Sequence, residues 1–343
     1  MFPLSRRWSL RWVLFTLSLT FIGGCASSQI ANVEPLPKDL PADLQAKFEV
    51  VEAAGPAPAP SALTAPEATA IPSRPKKREK KIRAKAKPVV VEKEKFIFPT
   101  RRTKGNPIWV GEKQVLEITY IGLAAGDITM DVLPIKMIVN RKVMQIKATA
   151  VSSAVMNLFY RLNDTIESFW DYDGLFSHRF HLVLDEAKQK RDSLELYDSE
   201  KKQTYYWNRR NHVDKGNIDS KEYFDIPPFP QDSFSALYYL RTLPLEDGGV
   251  YSFPVVSEGK SWEAVATVVG REMMDTPLGK KKCIIVRPQT RYQGVLKQEK
   301  GDSFIWLTDD DRRFIVRLEA KVKIGSVAAR LKKVELGEKP NEE

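Results

Sequence analysis

Few residues in this 343-residue chain have the type and spacing that chemistry requires. Cys25 has them: it follows the aliphatic Ile22 and the small Gly23 and Gly24, which let a peptidase reach a thiol able to accept an acyl-glycerol group. The other thiol, Cys283, sits in the apolar run Cys283-Ile284-Ile285-Val286 and is expected to be a small buried hydrophobe. His178 and His181 are three apart in a predicted strand, so they point to opposite faces and make no metal site. With His212 they are expected to be solvated. Asp309-Asp310-Asp311 lacks the spaced oxygens of a calcium loop and is expected to be a charged hairpin turn. No nucleophile elbow, phosphate-binding glycine loop or His-Glu-x-x-His pair occurs. No catalytic residue, metal ligand or cofactor is assigned.

The segment before Cys25 explains its thiol. Arg6, Arg7 and Arg11 precede an apolar stretch from Trp12 to Ile22, shorter than the ~20 residues a bilayer-spanning helix needs. Together with Ile22-Gly23-Gly24-Cys25 this resembles a bacterial lipoprotein signal peptide and its lipobox, predicted over residues 1–24, with lipidation (diacylglycerol and palmitate-type chains) at Cys25. Ala26, rather than Asp, favours the periplasmic face of the outer membrane over the inner membrane. Two cysteines exclude a disulfide-dense scaffold and a multi-cysteine zinc site.

The formal charge of +10 invites a nucleic-acid hypothesis, which export removes. Residues 25–104 are predicted to be a disordered tether, rich in Ala and Pro and then in Lys and Arg. If extended at ~3.1 Å per residue it reaches beyond ~100 Å. Its basic tract, Arg74, Lys76, Lys77, Arg78, Lys80, Lys81, Arg83, Lys85 and Lys87, suits an anionic lipid or wall surface, or else a self-repelling spacer. Residues 105–343 hold 35 basic and 35 acidic side chains, so the net charge lies upstream, in the signal-peptide arginines and the tether.

Period-two alternation across residues 105–336 predicts an antiparallel β domain, one curved sheet or half-open barrel, followed by a polar tail at 337–343. Val316, Leu318 and Ala320 alternate with Arg317, Glu319 and Lys321. Only Ser152–Leu162 and Asp232–Leu243 read as helices, the second with Asp232 as N-cap. Asp232 with Arg241, and Asp309 with Arg313, are candidate ion pairs. The concave interior either fills with side chains or holds a ligand. Tyr206, Trp207, Tyr238, Tyr239 and Trp306 are the aromatics that could face a ligand or partner.

Val110-Gly111-Glu112, Tyr120-Ile121-Gly122-Leu123-Ala124-Ala125-Gly126, the run Gln231-Asp232-Ser233-Phe234-Ser235 through Arg241, Thr276-Pro277-Leu278-Gly279 and Trp306-Leu307-Thr308-Asp309-Asp310 occur in an order that resembles the domain-of-unknown-function 3108 family of exported bacterial proteins. Tyr206 to Pro228 departs most from that pattern. The resemblance implies an exported, barrel-like β domain and carries over no catalytic residues. The function expected is a non-enzymatic, lipid-anchored periplasmic protein that binds an apolar or amphiphilic envelope component, in lipid transport or envelope assembly. The alternatives are an envelope scaffold that holds a protein partner through its outer β surface and basic tether, and a wall-associated hydrolase.

Overall fold

Alternating side chains force successive residues to opposite faces of an extended chain, and turn residues set the length of each run. The computed structural model describes residues 40–53, 96–292, 295–297, 303–321 and 325–340. In chain order the elements are α1 (Ala42–Phe48), β1 (Val51–Glu52), β2 (Glu112–Tyr120), β3 (Leu123–Ile138), β4 (Arg141–Ser152), α2 (Ala154–Asn157), β5 (Asn163–Asp171), β6 (Ser177–Asp185), β7 (Gln189–Asp198), β8 (Gln203–His212) and β9 (Gly216–Asp225). There follow α3 (Ser235–Arg241), β10 (Val250–Ser257), β11 (Lys260–Thr276), β12 (Gly279–Tyr292), β13 (Val295–Lys297), β14 (Ser303–Thr308), β15 (Ile315–Lys321) and β16 (Ser326–Leu336).

All the pairings between these strands are antiparallel, and the order across the single sheet is β10-β11-β12-β14-β15-β16-β2-β3-β4-β5-β6-β7-β8-β9. The sheet curls but does not close: among the described residues no backbone ladder joins β9 to β10. The two edges nevertheless meet. Gly259, in the β10–β11 turn at φ +69°, lies so close to the Phe224 ring of β9 that a Cβ would sit 2.2 Å from it. The turn glycines of β2–β3 act as the sequence predicts. Gly122 adopts φ +77°, and a Cβ on Gly126 would stand 2.2 Å from the Val151 carbonyl.

The concave face buries one continuous core, including Leu116, Met130, Ile146, Trp170, Leu182, Tyr238, Ile284 and Leu307. α3 lies within this core. On the opposite face a second core forms where Leu40, Leu44 and Phe48 pack on Ile138, Val143, Phe169, Leu194, Leu196, Tyr205 and Trp207.

That second core corrects the expected tether. Residues 40–53 are folded: α1 covers the outer face of the sheet, and β1 pairs with β3 through Val51 opposite Met137. Leu40, Leu44 and Phe48 recur every fourth residue, which places them on one helical face. Seven residues do not hold a helix alone, and burying these side chains stabilises it by roughly 1.5–3 kcal/mol each. Lys47 Nζ adds an ion pair to Asp198 at 2.8 Å. The folded unit therefore begins upstream of residue 105, and residues 54–98 form a separate unit within the chain. In its described part, Phe96 and Phe98 meet edge to face at 5.1 Å. In the sequence the basic tract lies between residues 40–53 and the β domain, and it falls outside the described residues. Only residues 26–39 separate Cys25 from residue 40, and they span no more than about 50 Å.

Two further expectations change. Ser152–Leu162 contains only the four-residue α2, capped by Ser153 Oγ accepting from Met156 N at 3.2 Å. Tyr206–Pro228 is no insertion: it belongs to the regular β8–β9 hairpin, in register from Gln203 opposite Asp225 to His212 opposite Gly216. The predicted tail still touches the domain, with Glu338 N donating to Val110 O at 2.8 Å.

Phe48→Ala should cost about 3 kcal/mol in urea unfolding and uncover Trp207, read as a red shift in tryptophan emission.

Candidate functional site

The centre of the domain is built around α3, and both its ends are fixed by buried ionisable groups. At the N-terminal end Asp232 Oδ1 accepts from Phe234 N and Ser235 N, each at 2.7 Å. Its Oδ2 accepts from Ser168 Oγ of β5 at 2.5 Å and Ser177 Oγ of β6 at 2.6 Å. Gln231 completes this end, with Oε1 accepting from Trp170 Nε1 at 2.8 Å and Nε2 donating to Leu175 O at 2.6 Å. Burial pushes the Asp232 carboxyl above its ordinary range, and the serine hydrogen bonds oppose that rise.

At the C-terminal end Arg241 donates to both Glu112 oxygens, Nη1 to Oε1 at 2.6 Å and Nη2 to Oε2 at 2.8 Å. Arg312 Nη2 reaches the same Oε2 at 2.9 Å. Arg241 and Glu112 are each 1% exposed, so this is a buried ion pair to which the partly exposed Arg312 adds a second cation. The expected pairing of Asp232 with Arg241 is thus wrong: the helix separates them, and each finds a partner on the sheet. Asp309 likewise pairs with Arg271 at 3.0 Å rather than with Arg313. Asp310 caps the turn, its Oδ1 accepting from Thr308 Oγ1 at 2.6 Å and Arg312 N at 3.1 Å.

Where α3 faces β10–β12 the interior is not filled. An apolar groove, open to solvent and with about 80 Å³ of cavity space, is lined by Ala236, Leu237 and Leu240 of α3, Phe253 and Val255 of β10, Trp262, Ala264 and Ala266 of β11, and Pro288 and Thr290 of β12. Its surface is almost wholly apolar. Ser233, Ser257, Glu258, Lys260, Gln289 and Thr290 supply the polar part of the lining. The void follows from residue size: opposite the helix, β11 presents Ala264 and Ala266 where β3 and β4 present Met130, Met144 and Ile146.

The groove rim is tied across the open seam. Glu195 of β7 accepts from Glu258 N at 3.0 Å and Gly259 N at 2.9 Å. Arg191 donates to Tyr206 Oη at 2.5 Å and Asn208 Oδ1 at 2.8 Å, and also pairs with Glu258. Burial pushes the Glu195 carboxyl up to about 7, against the two backbone N–H bonds that favour its charged form.

The aromatics named from sequence do not form a surface for a partner. Trp207 is buried under α1, and Tyr238 is fully buried beside Phe234. Tyr206 belongs to the seam network. Tyr239 packs edge to face on Phe253 with centroids 4.9 Å apart, just behind the groove. Trp306 is 7% exposed, donates Nε1 to Glu272 Oε1 at 2.5 Å and carries Arg317 over its ring. The ring that does line the groove, Trp262, was among the chain's aromatics but nothing in its spacing distinguished it.

Two histidines are not solvated. His178 Nε2 is 2.9 Å from Asp171, which Arg141 also holds, and His181 Nε2 is 2.7 Å from Asp192. Burial opposes ionisation of Asp171, but the bonds from Arg141 and His178 prevail and bring its carboxyl down to about 2. Cys283 is fully buried, as its apolar run predicts, and burial pushes its thiol up to about 11. Asp164 and Glu186 form a buried carboxyl pair outside the groove. Burial and the Glu186 charge push Asp164 up to about 8, and Tyr160 Oη donates to Glu186 at 2.6 Å. Among the described residues no group of three or more His, Cys, Asp or Glu is arranged to hold a metal ion. Cys25, the lipobox residues Ile22, Gly23 and Gly24, and the basic tract from Arg74 to Lys87 lie outside the described residues.

Glu112→Gln should destabilise the domain by about 3–5 kcal/mol in urea unfolding, since it leaves Arg241 buried without a counter-charge. Glu195 gives a pH signature. Its folded-state pKa lies above its unfolded value, so its contribution is fully present below pH ~4.3 and is lost as pH rises through about 7. The Glu195→Gln variant should flatten that part of the stability–pH profile.

Known proteins place the chain as follows. No curated protein matches its sequence significantly. Among solved structures it is similar to a β-barrel-like protein with domain of unknown function DUF1849 from Brucella abortus. That match has 10% identity and a TM-score of 0.43, over 66% of this chain and 98% of that one. It is also similar to a candidate exported protein with a YmcC-like fold from Bacteroides fragilis. There the identity is 12% and the TM-score 0.30, over 70% of this chain and 99% of that one. The family model for proteins of unknown function DUF3108 matches residues 115–332, from within β2 to within β16 and including α3, and the chain belongs to that family.

Proposed function

We propose that this is a non-enzymatic, lipid-anchored protein of the bacterial periplasm whose β domain holds an apolar or amphiphilic envelope component in the groove beside α3. The observation that carries this is the groove itself: a solvent-open apolar cleft with about 80 Å³ of cavity space, with Glu258 and Lys260 in its lining. An acyl chain gains about 0.8 kcal/mol for each CH₂ removed from water, and the polar rim suits a head group. Preformed apolar pockets with a few polar groups are the usual form of small-molecule sites. Lipid transport or envelope assembly is the setting this fits.

Lipidation at Cys25 would anchor the protein, at the outer membrane by the Ala26 criterion. The basic tract would contact anionic lipid or wall polymer. The outer β face is the less suitable binding surface, because α1 already covers Phe169, Leu194, Leu196 and Trp207 there.

Protein purified from its native envelope should release a lipid or other amphiphile on solvent extraction, detected by mass spectrometry. Ala264→Phe, which fills the groove floor, should abolish that recovery with the domain still folded. An empty wild-type groove, or equal recovery from the variant, would refute the proposal.

A further inference from the structure

We infer that the β2–β3 and β4–β5 end of the sheet docks onto the surface of a phospholipid bilayer. Six large apolar side chains are exposed there: Leu158 at 81%, Leu123 at 70%, Val155 at 66%, Phe159 at 64%, Ile121 at 58% and Val151 at 45%. They are not a loose loop. Ser153 ties the two connections together, its Oγ donating to Ala124 O at 3.1 Å and its N to Ala125 O at 2.9 Å. Below them Ser152 Oγ accepts from Leu162 N at 2.8 Å, and Tyr160 and Leu162 are buried in the core. The segment 154–159 therefore projects from a fixed base, with its apolar residues outward.

The chemistry of this end selects a bilayer. Across residues 120–126 and 149–162 the only charged side chain is Arg161, and its charge is met by Asp185 at 2.7 Å, so these connections are neutral. Exposed aliphatic and aromatic residues without net charge are what a lipid–water interface accepts whatever its head-group charge. A contiguous exposed apolar cluster is otherwise costly on a soluble domain. Reach agrees with this. β5, nine residues long, spans about 30 Å. The segment from Cys25 to residue 40 extends to about 50 Å. A domain anchored through Cys25 can thus turn this end to the membrane that holds it. The β10–β11 turn, which carries Glu258 and Lys260 on the groove rim, points to the same end in the antiparallel order. Docking would bring the groove mouth to the lipid surface; that last consequence rests on the groove proposal, whereas the docking does not.

The test uses the chain from residue 26 to 343 without lipidation, which retains every described residue. It is mixed with phosphatidylcholine vesicles and sedimented; zwitterionic lipid gives the basic tract no net charge to bind. The wild type should co-sediment. The L123S/L158S/F159S variant should show a bound-to-free ratio at least tenfold lower, with an unchanged thermal midpoint by circular dichroism. Ala264→Phe should leave the ratio unchanged, which separates docking from groove occupancy. No co-sedimentation of the wild type, or equal co-sedimentation of the triple variant, overturns the inference. Binding seen only with anionic vesicles and insensitive to the triple substitution also overturns it, and assigns membrane contact to the basic tract.

Discussion

The buried Arg241–Glu112 pair and the Asp232 cap hold this domain in one arrangement. Each joins α3 to a different region of the sheet: Asp232 to β5 and β6, Arg241 to β2 and the β14–β15 turn. A sheet that does not close has no backbone ladder to fix the distance between its two sides. The helix supplies that distance as a crossbar. Burying a charge is costly unless it is paired and fully hydrogen-bonded, so each end has one favourable seat and a shifted helix has none.

The groove and the seam follow from the same arrangement. The crossbar stands beside β10–β12, where β11 presents Ala264 and Ala266 inward, and packing does not fill the space they leave. The β10–β11 turn is then held by Glu195 and Arg191 reaching across from β7 rather than by strand pairing. Side-chain bonds of this kind are fewer than a ladder provides, and one of them depends on a carboxyl that titrates near neutrality. The walls of the groove are therefore rigid on the α3 side and conditionally held at the rim.

Much of the fold was legible. The strands β2–β5, β7, β10–β12 and β14–β15 follow from alternation, and α3 with its Asp232 cap follows from helical spacing behind Pro230. α1 was missed because composition across a long Ala- and Pro-rich stretch outweighed three apolar residues at a spacing of four. β9 was missed because it is almost wholly exposed and so carries no apolar alternation. The histidines were misread for a different reason. Their partners, Asp171 and Asp192, are polar residues whose burial depends on neighbouring strands.

Local pattern by itself determined the β class, the turn positions, the inert Cys283 and the separation of a basic tract from a neutral domain. These properties depend on neighbours in the chain or on summed charge. Only the tertiary structure decided that Arg241 pairs with Glu112, that residues 40–53 fold onto the outer face, and that the interior is partly hollow beside α3. Glu112 and Arg241 are 129 residues apart, and which carboxylate meets which guanidinium is set by the sheet order rather than by spacing. A cavity is set by the volumes of side chains on four different elements at once. One chain, read along its length, holds those volumes but not their juxtaposition.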